Sequence, residues 1–263
     1  SEIREHETSD SHDSSNPNTP TGLIGRESQV VPGRFGEPLQ VTHVQYSRGD
    51  GNAAPRRPLF LCLHGWGSKA DLADMMRYVA PYNDFASLRA PLVLQELVPV
   101  NSVSVRARIR GSMMRAAGED LDRDAYAAAQ AIDDWVARNV PEDRAVVPIG
   151  FSQGGLLAIH LLRVHPERYA ASISLSGFLA PGIVAGSAPA DSHVAELNIP
   201  VFYGYGKNDT VIPMPELFAT AAWLDEHTFL TSKSSVDSIM RQFNEFSDLR
   251  DWLAAHDIAP GIL

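Results

Sequence analysis

Short apolar runs and longer amphipathic stretches alternate along most of the chain. The runs at 59–63, 146–149 and 199–204 have the composition of strands that are buried on both faces of a sheet. Between such runs, apolar residues recur at helical spacing, and the longest repeat of this kind covers 122–140. This pattern predicts one large α/β domain with a mostly parallel central sheet and helices on both faces.

Weaker patterns predict the remaining elements. Residues 41–46 alternate between apolar and polar, which is typical of an edge strand. Further strands are predicted at 87–94, 169–175 and 228–230, and further helices at 71–79, 216–224 and 244–256. Within the long helix Trp135 falls on the apolar face, so we expect it in the core.

The first part of the chain differs in composition from the rest. Residues 1–30 are rich in Ser, Asp, Glu, Asn, Pro and Thr and nearly free of large apolar residues, which predicts a disordered tail. The α/β domain is then expected to occupy residues 31–263. His6 and His12 lie in the tail, where solvation explains them more simply than metal binding.

Charge, cysteine content and hydropathy limit the partners, the disulfide bonds and the location that can be expected for this protein. The net charge of -10 disfavours a nucleic-acid partner, because phosphate binding needs a basic face. Cys62 is the single cysteine, so there is no internal disulfide, and its position in an apolar run predicts a small core residue. No apolar run is long enough to span a membrane and no signal peptide is recognisable, so we expect a cytoplasmic protein.

The strongest chemical signal is a Gly-x-Ser-x-Gly motif at Gly150, Ser152 and Gly154. It follows the apolar run at 146–149 and precedes an apolar helical stretch at 156–162. A serine at the tip of a sharp strand-to-helix turn presents its hydroxyl to a ligand, and the glycines leave room for the backbone. The free N–H groups of the following helix can stabilise a developing negative charge. The motif predicts a nucleophile at Ser152, with a glycine-rich structural turn as the alternative.

Two further loops follow buried strands. His-Gly-Trp-Gly-Ser at 64–68 precedes a helix, and in a hydrolase such a loop supplies a backbone N–H to the oxyanion, although a simple connection has the same pattern. We expect His64 to order this loop rather than to act as a base. Asp209 follows the strand at 199–204, where a carboxylate can orient a histidine or simply form a turn.

The order of these motifs resembles that of the phospholipase/carboxylesterase family of α/β-hydrolases, which includes acyl-protein thioesterase-like enzymes. The resemblance spans about residues 40–255. Its segments are Leu-His-Gly-Trp-Gly at 63–67, Leu-Arg-Ala-Pro at 88–91, Gly-Phe-Ser-Gln-Gly-Gly at 150–155, Leu-Ser-Gly at 175–177, Gly-Tyr-Gly-Lys-Asn-Asp at 204–209, Val-Ile-Pro at 211–213 and Asp-Leu-Arg-Asp-Trp-Leu at 248–253.

This resemblance implies an α/β-hydrolase fold and the hydrolysis of small to medium acyl esters. It makes Ser152 the nucleophile and Asp209 the acid of the catalytic triad. The backbone N–H groups of Trp66 and Gln153 would form the oxyanion hole. A small-molecule ester is the expected partner. No metal or organic cofactor is implied, because no His/Cys/Asp cluster in the sequence has ligand spacing.

The sequence departs from the family pattern where the triad histidine is expected. Members of the family carry it between the last strand and the last helix, but residues 232–240 contain no histidine, and Asp237 stands at the expected position. A carboxylate, with a reference pKa of about 4 against about 6.5 for histidine, is a poor base for a serine hydroxyl near neutral pH. His227 and His256 are nearby in sequence, but neither matches the family position, so the histidine is not identified.

A second departure affects the pocket. Relatives carry an aromatic substrate-facing segment where this chain has residues 95–118, a stretch that contains Arg106, Arg108, Arg110 and Arg115. A surface loop or an anion-binding patch would both fit this composition. The shape of the pocket is therefore not predicted.

The sequence is compatible with three functions. The first is a working serine carboxylesterase. The second is a weakened or inactive hydrolase fold that retains a ligand pocket, as the missing histidine suggests. The third is thioester or lactone cleavage on the same fold, because pocket shape rather than the triad selects the leaving group. The natural substrate and the oligomeric state are not indicated by the residues.

Overall fold

A computed structural model describes residues 22–32, 38–48, 57–63, 72–88, 118–207, 212–235 and 243–259. The strands are β1 (Gly22–Pro32), β2 (Pro38–Arg48), β3 (Leu59–Leu63), β4 (Phe85–Leu88), β5 (Val146–Phe151), β6 (Ser172–Leu175), β7 (Pro200–Gly206) and β8 (Phe229–Ser235). The helices are α1 (Leu72–Val79), α2 (Glu119–Asn139), α3 (Gln153–Val164), α4 (Met214–His227) and α5 (Phe243–Ala255).

The eight strands form one sheet in the order β1-β2-β4-β3-β5-β6-β7-β8. The six strands from β4 to β8 in this order are parallel, whereas β1 and β2 pair antiparallel at one side. The predicted α/β fold with a mostly parallel sheet is therefore confirmed, and the arrangement is that of an α/β-hydrolase.

Each face of the sheet carries its own hydrophobic core. In β3, Leu61 belongs to the cluster that α2, α3 and α4 cover, whereas Phe60 and Cys62 belong to the cluster that α1 and α5 cover. Side chains alternate along a strand, so a strand with helices on both sides needs apolar residues at every position. Cys62 and Trp135 are fully buried, as predicted.

The structure differs from the expected elements at both sides of the sheet. The disordered tail was expected to reach residue 30, but β1 begins at Gly22 and pairs with β2 along its length. Because β1 lies outside β2, the prediction that residues 41–46 form an edge strand was wrong. At the other side, β8 extends to Ser235 rather than ending at residue 230. Its polar half gives no apolar signal, but it pairs with β7 throughout.

One crossover between parallel strands lacks an α-helix. The β6–β7 segment, which we define as residues 177–192, leaves β6 and leads through a short 3-10 turn at Val194–Leu197 into β7. Instead of packing as a helix, this segment lies against α3 through polar contacts that are described below.

Candidate active site

The candidate site lies at the carboxyl edge of the parallel strands. Parallel strands end at the same edge, and in open α/β sheets ligands bind there. β5 ends at Phe151 and α3 begins at Gln153, so Ser152 occupies the single position between a strand and a helix. This placement agrees with the strand, turn and helix that the sequence predicts around Ser152.

The backbone of Ser152 adopts a strained conformation. Its φ of 56° and ψ of −113° are unusual for a residue with a side chain. The turn is fixed on both sides: the Ser152 N–H donates to the Leu175 carbonyl at 2.8 Å, and the Ser152 carbonyl accepts from the Leu156 N–H at 3.0 Å. Ser152 is only partly buried, so the strain holds an accessible serine at the strand-to-helix turn.

Close backbone packing explains the glycines of the motif. A Cβ added to Gly150 would overlap the Gly154 carbonyl oxygen, so no larger residue fits at this position without moving the turn. A Cβ on Gly155 would lie 2.8 Å from the Gly177 Cα, which shows how closely the start of α3 approaches the end of β6. The glycines therefore allow the sharp turn and the approach of two backbones.

Gln153 is the first residue of α3. The first N–H groups of a helix have no partner within the helix, and the helix dipole places partial positive charge there. The backbone N–H of Gln153 is therefore of the kind that can stabilise an anion beside the Ser152 side chain.

Three other predicted site residues lie outside the described residues. Trp66 follows the end of β3 by three positions, Asp209 follows the end of β7 by three, and Asp237 follows the end of β8 by two. Each therefore comes shortly after a parallel strand, but the roles predicted for them stay predictions. The segment at 95–117 also lies outside the described part of the chain.

His227 and His256 lie at the opposite edge of the sheet. His227 ends α4 directly before β8 begins, and its Nδ1 lies 2.7 Å from the Trp223 carbonyl oxygen. His256 packs against Phe229, the first residue of β8. Both histidines are thus at the amino ends of the parallel strands, whereas Ser152 is at the carboxyl ends, so neither is placed to activate it.

The other described histidine side chains are also engaged elsewhere. His165 Nδ1 lies 3.0 Å from an Asp133 carboxylate oxygen, and His193 Nε2 lies 3.2 Å from Glu167. His160 Nε2 lies 2.7 Å from the Ser187 carbonyl oxygen. None of these three side chains, and neither His227 nor His256, forms a hydrogen bond with Ser152.

His160 is a buried histidine that the sequence analysis did not single out. It lies on α3 and is 1% exposed. Burial and the nearby Arg163 guanidinium lower its pKa to about 4, against the opposing effects of the Ser187 carbonyl, Asp191 and Asp122. His160 is therefore neutral near pH 7. Because a carbonyl oxygen only accepts, Nε2 carries the proton.

Arg163 and Asp122 hold the β6–β7 segment from two helices. Arg163, which is 1% exposed on α3, donates to both Asp191 carboxylate oxygens at 2.8 and 2.7 Å and to the Ala180 carbonyl at 2.7 Å. The buried carboxylate of Asp122, in the first turn of α2, accepts three successive backbone N–H groups at 2.6 to 2.9 Å, from Gly182, Ile183 and Val184.

The described residues form neither a metal centre nor a membrane-spanning helix. Within the described ranges, no group of three or more His, Cys, Asp or Glu side chains is arranged to hold a metal ion. Among the helices of the same ranges, none is long and apolar enough to cross a membrane.

Comparisons with known proteins agree with this geometry. The model of the family described as Phospholipase/Carboxylesterase matches residues 50–246. No curated protein matches the chain.

Similar solved structures have low sequence identity and therefore inform on the fold alone. A phospholipase/carboxylesterase from Dyadobacter fermentans is 15% identical with a TM-score of 0.56, over 79% of this chain and 94% of that one. A carboxylesterase from Mesorhizobium loti is 16% identical with a TM-score of 0.56, over 81% and 94%. Est1E from Butyrivibrio proteoclasticus is 12% identical with a TM-score of 0.55, over 91% and 99%.

Proposed function

Because the chain belongs to the phospholipase/carboxylesterase family of α/β-hydrolases, we propose that it is a serine carboxylesterase in which Ser152 is the nucleophile. The observation that carries this proposal is the backbone of Ser152, which is strained at φ 56° between the carboxyl end of β5 and the first turn of α3. Strain of this kind is characteristic of a nucleophile elbow, and a structural turn at a glycine-rich position has no need of it.

The reaction would be acyl transfer in two steps. A base removes the Ser152 hydroxyl proton while Oγ attacks the ester carbonyl carbon. The tetrahedral intermediate expels the alcohol, which takes up the proton. Water, which gives a proton to the base, then attacks the carbonyl carbon of the acyl-serine. The bond from that carbon to Oγ breaks, Oγ takes the proton from the base, and the carboxylic acid leaves. The oxyanion of each intermediate would accept hydrogen bonds from the backbone N–H groups of Gln153 and Trp66. Asp209 would orient the base.

The identity of the base is the open part of this proposal. The five described histidine side chains, His160, His165, His193, His227 and His256, are engaged elsewhere or lie at the opposite edge of the sheet. This observation favours a second candidate function, a weakened hydrolase that binds an ester but turns it over slowly, with Asp237 in the place of the histidine. Loss of a triad member still leaves about 10³- to 10⁴-fold catalysis over water.

The proposed substrate is a small or medium acyl ester. Thioesters and lactones are the alternatives, because the elbow performs the same attack on all three carbonyl groups. A panel of matched oxygen ester, thioester and lactone substrates separates them through their kcat/KM values.

The test of the nucleophile is hydrolysis of a short-chain chromogenic ester by the wild-type protein and by Ser152→Ala. The variant is expected to lose at least about 10³-fold in kcat, because no other group forms the acyl intermediate. Ser192→Ala, at an exposed position in the β6–β7 segment, is the control and should keep wild-type kcat. Undiminished turnover by Ser152→Ala would contradict the proposal.

Asp237→His tests the second candidate function. A histidine at this position should raise kcat by about 10²-fold or more if the base is what the wild-type protein lacks. A folded Asp237→His variant with no gain over an active wild type would show that the base is elsewhere. The pH profile supports the comparison, since a histidine base gives a rise in kcat/KM near pH 6.5.

A further inference from the structure

A row of serine hydroxyls on β6 faces helix α3. Ser172 Oγ donates to the Ala158 carbonyl at 2.8 Å, and Ser174 Oγ donates to the Gly155 carbonyl at 2.9 Å. Both serines are fully buried. These two hydroxyls follow α3 toward its amino end. Ser176 comes directly after the last residue of β6, and a Cβ added to Gly177 would overlap Ser174 Oγ, so Gly177, and not Ser176, continues the row toward α3.

Ser176 lies beside Ser152. Phe151 and Leu175 are partners in the parallel ladder of β5 and β6, and each is followed directly by one of the two serines. The Ser152 N–H donates to the Leu175 carbonyl at 2.8 Å, which joins the two strand ends. Ser176 therefore stands at the same carboxyl edge and at the same level as the nucleophile.

Ser176, like Ser152, has a positive φ. Its φ is 51°, against 56° for Ser152. The Ser176 N–H donates to the Gly204 carbonyl of β7 at 2.7 Å, so this conformation is held between two strands. A left-handed conformation costs a serine about 1 kcal/mol that a glycine would not lose. The side chain at this position is therefore the feature that needs an explanation.

The Ser176 hydroxyl differs from those of Ser172 and Ser174. Ser176 lies beyond the end of β6 and has a positive φ, so its side chain does not follow the alternation that turns Ser172 and Ser174 toward α3. Among the hydrogen bonds between described residues, none involves the Ser176 hydroxyl, although the residue is only 3% exposed. A nearly buried serine whose hydroxyl has no partner among the described residues thus lies beside the turn that carries Ser152.

We propose that Ser176 is a second side chain of the Ser152 site, which donates a hydrogen bond to an oxygen of the bound ester and holds its carbonyl group against Ser152. This inference rests on the proposed function, since it gives Ser176 a contact with the same substrate. A hydroxyl is suited to the role because it rotates to either oxygen of an ester.

The test uses Ser176→Gly and Ser176→Ala beside the wild-type protein, with a short-chain ester as the probe. Both variants lose the hydroxyl, but only glycine also relieves the left-handed backbone. We expect kcat/KM to fall about 3- to 10-fold in both, the loss of one hydrogen bond to a neutral group. The melting temperature should stay unchanged in the alanine variant and stay unchanged or rise in the glycine variant.

Ser172→Ala is the matched control, because it removes a hydroxyl from the strand that leads to Ser176, and the partner of this hydroxyl is a buried helix carbonyl. It should lower the melting temperature and keep wild-type kcat/KM. Wild-type kcat/KM in Ser176→Gly, or a loss that follows a drop in its melting temperature, would overturn the inference while leaving the esterase proposal intact. Absence of Ser152-dependent hydrolysis in the wild type would overturn both.

Discussion

The Ser152 turn and the β6–β7 segment are both attached to helix α3, but the attachments are of opposite kinds. At the amino end of α3, the turn is held by backbone hydrogen bonds and by glycines that let backbones touch. Along the side of α3, the segment is held by His160 and Arg163, with Asp122 contributed by α2. The first region depends on side chains being absent, and the second depends on long polar side chains being present.

The physical reason for this difference is the number of backbone groups that each region leaves without partners. The turn passes directly from a strand to a helix, so its N–H and C=O groups find backbone partners. The β6–β7 segment forms neither strand nor helix, so several of its N–H and C=O groups have no backbone partner and are bound by side chains instead. Asp122 alone receives three N–H groups, from Gly182, Ile183 and Val184. Irregular backbone over a helix is thus stabilised by buried charge.

The largest effect should come from adding a single carbon to the turn. Gly150→Ala places a Cβ where the Gly154 carbonyl oxygen lies, so the turn must move or the protein must unfold. We expect a loss of about 4 kcal/mol or more in the free energy of unfolding and a loss of ester hydrolysis. Chemical denaturation and a kinetic assay measure the two losses.

Gly186→Ala is the matched control for this variant. Gly186 has a φ of 79°, but a Cβ at that position would meet nothing within 4 Å. Only backbone strain is added, so the expected cost is about 1 kcal/mol with no change in kcat. Equal costs for the two variants would show that steric overlap does not distinguish the turn from the segment.

On the side of the segment, the largest effect should follow the loss of the Arg163 guanidinium. Arg163→Met keeps the apolar stem but leaves the Ala180 carbonyl and the partly buried Asp191 without their partner. We expect a loss of about 3 to 4 kcal/mol in the free energy of unfolding. Hydrogen exchange should increase first in residues 177–192, because their anchor on α3 is removed.

An exposed arginine provides the comparison. Arg123 pairs with Glu119 on the surface of α2 at 3.2 Å, so Arg123→Met should cost about 0.5 kcal/mol or less. If Arg163→Met were as mild as Arg123→Met, buried charge would not be what holds the β6–β7 segment.

The two regions also differ in how far they could be predicted from the sequence. The turn could be predicted because Gly150, Ser152 and Gly154 lie within five consecutive residues and are in direct contact or adjacent in the turn. The apolar strand before them and the apolar helix after them complete the local pattern. The segment's anchors are distant in sequence: Asp122 contacts Gly182 from 60 residues away, and His160 contacts Ser187 from 27 away. No local pattern pairs such residues, so the sequence analysis did not predict the anchors of this segment.

The strands, too, differ in how well the sequence predicts them. β3 and β7 are buried on both faces and were predicted from their apolar runs, because every position of such a strand must be apolar. The polar part of β8 was missed, since its pairing with β7 comes from backbone hydrogen bonds that leave no mark on composition. The placement of β2 inside the sheet depends on β1, which lies in a stretch with the composition of a tail.

Apart from the two control variants, the smallest effect on stability is expected from the titration of His160, and it depends on pH. The pKa of this buried imidazole is lowered to about 4, against about 6.5 in an unfolded chain, so the unfolded state takes up the proton first as the pH falls. The free energy of unfolding should therefore be unaffected above about pH 7, and should fall by at most roughly 3 kcal/mol between pH 6.5 and pH 4. His160→Gln retains an N–H donor for the Ser187 carbonyl but cannot titrate. Denaturant unfolding of both proteins at several pH values should give a shallower decline for the variant, and parallel curves would show that His160 does not titrate in this way.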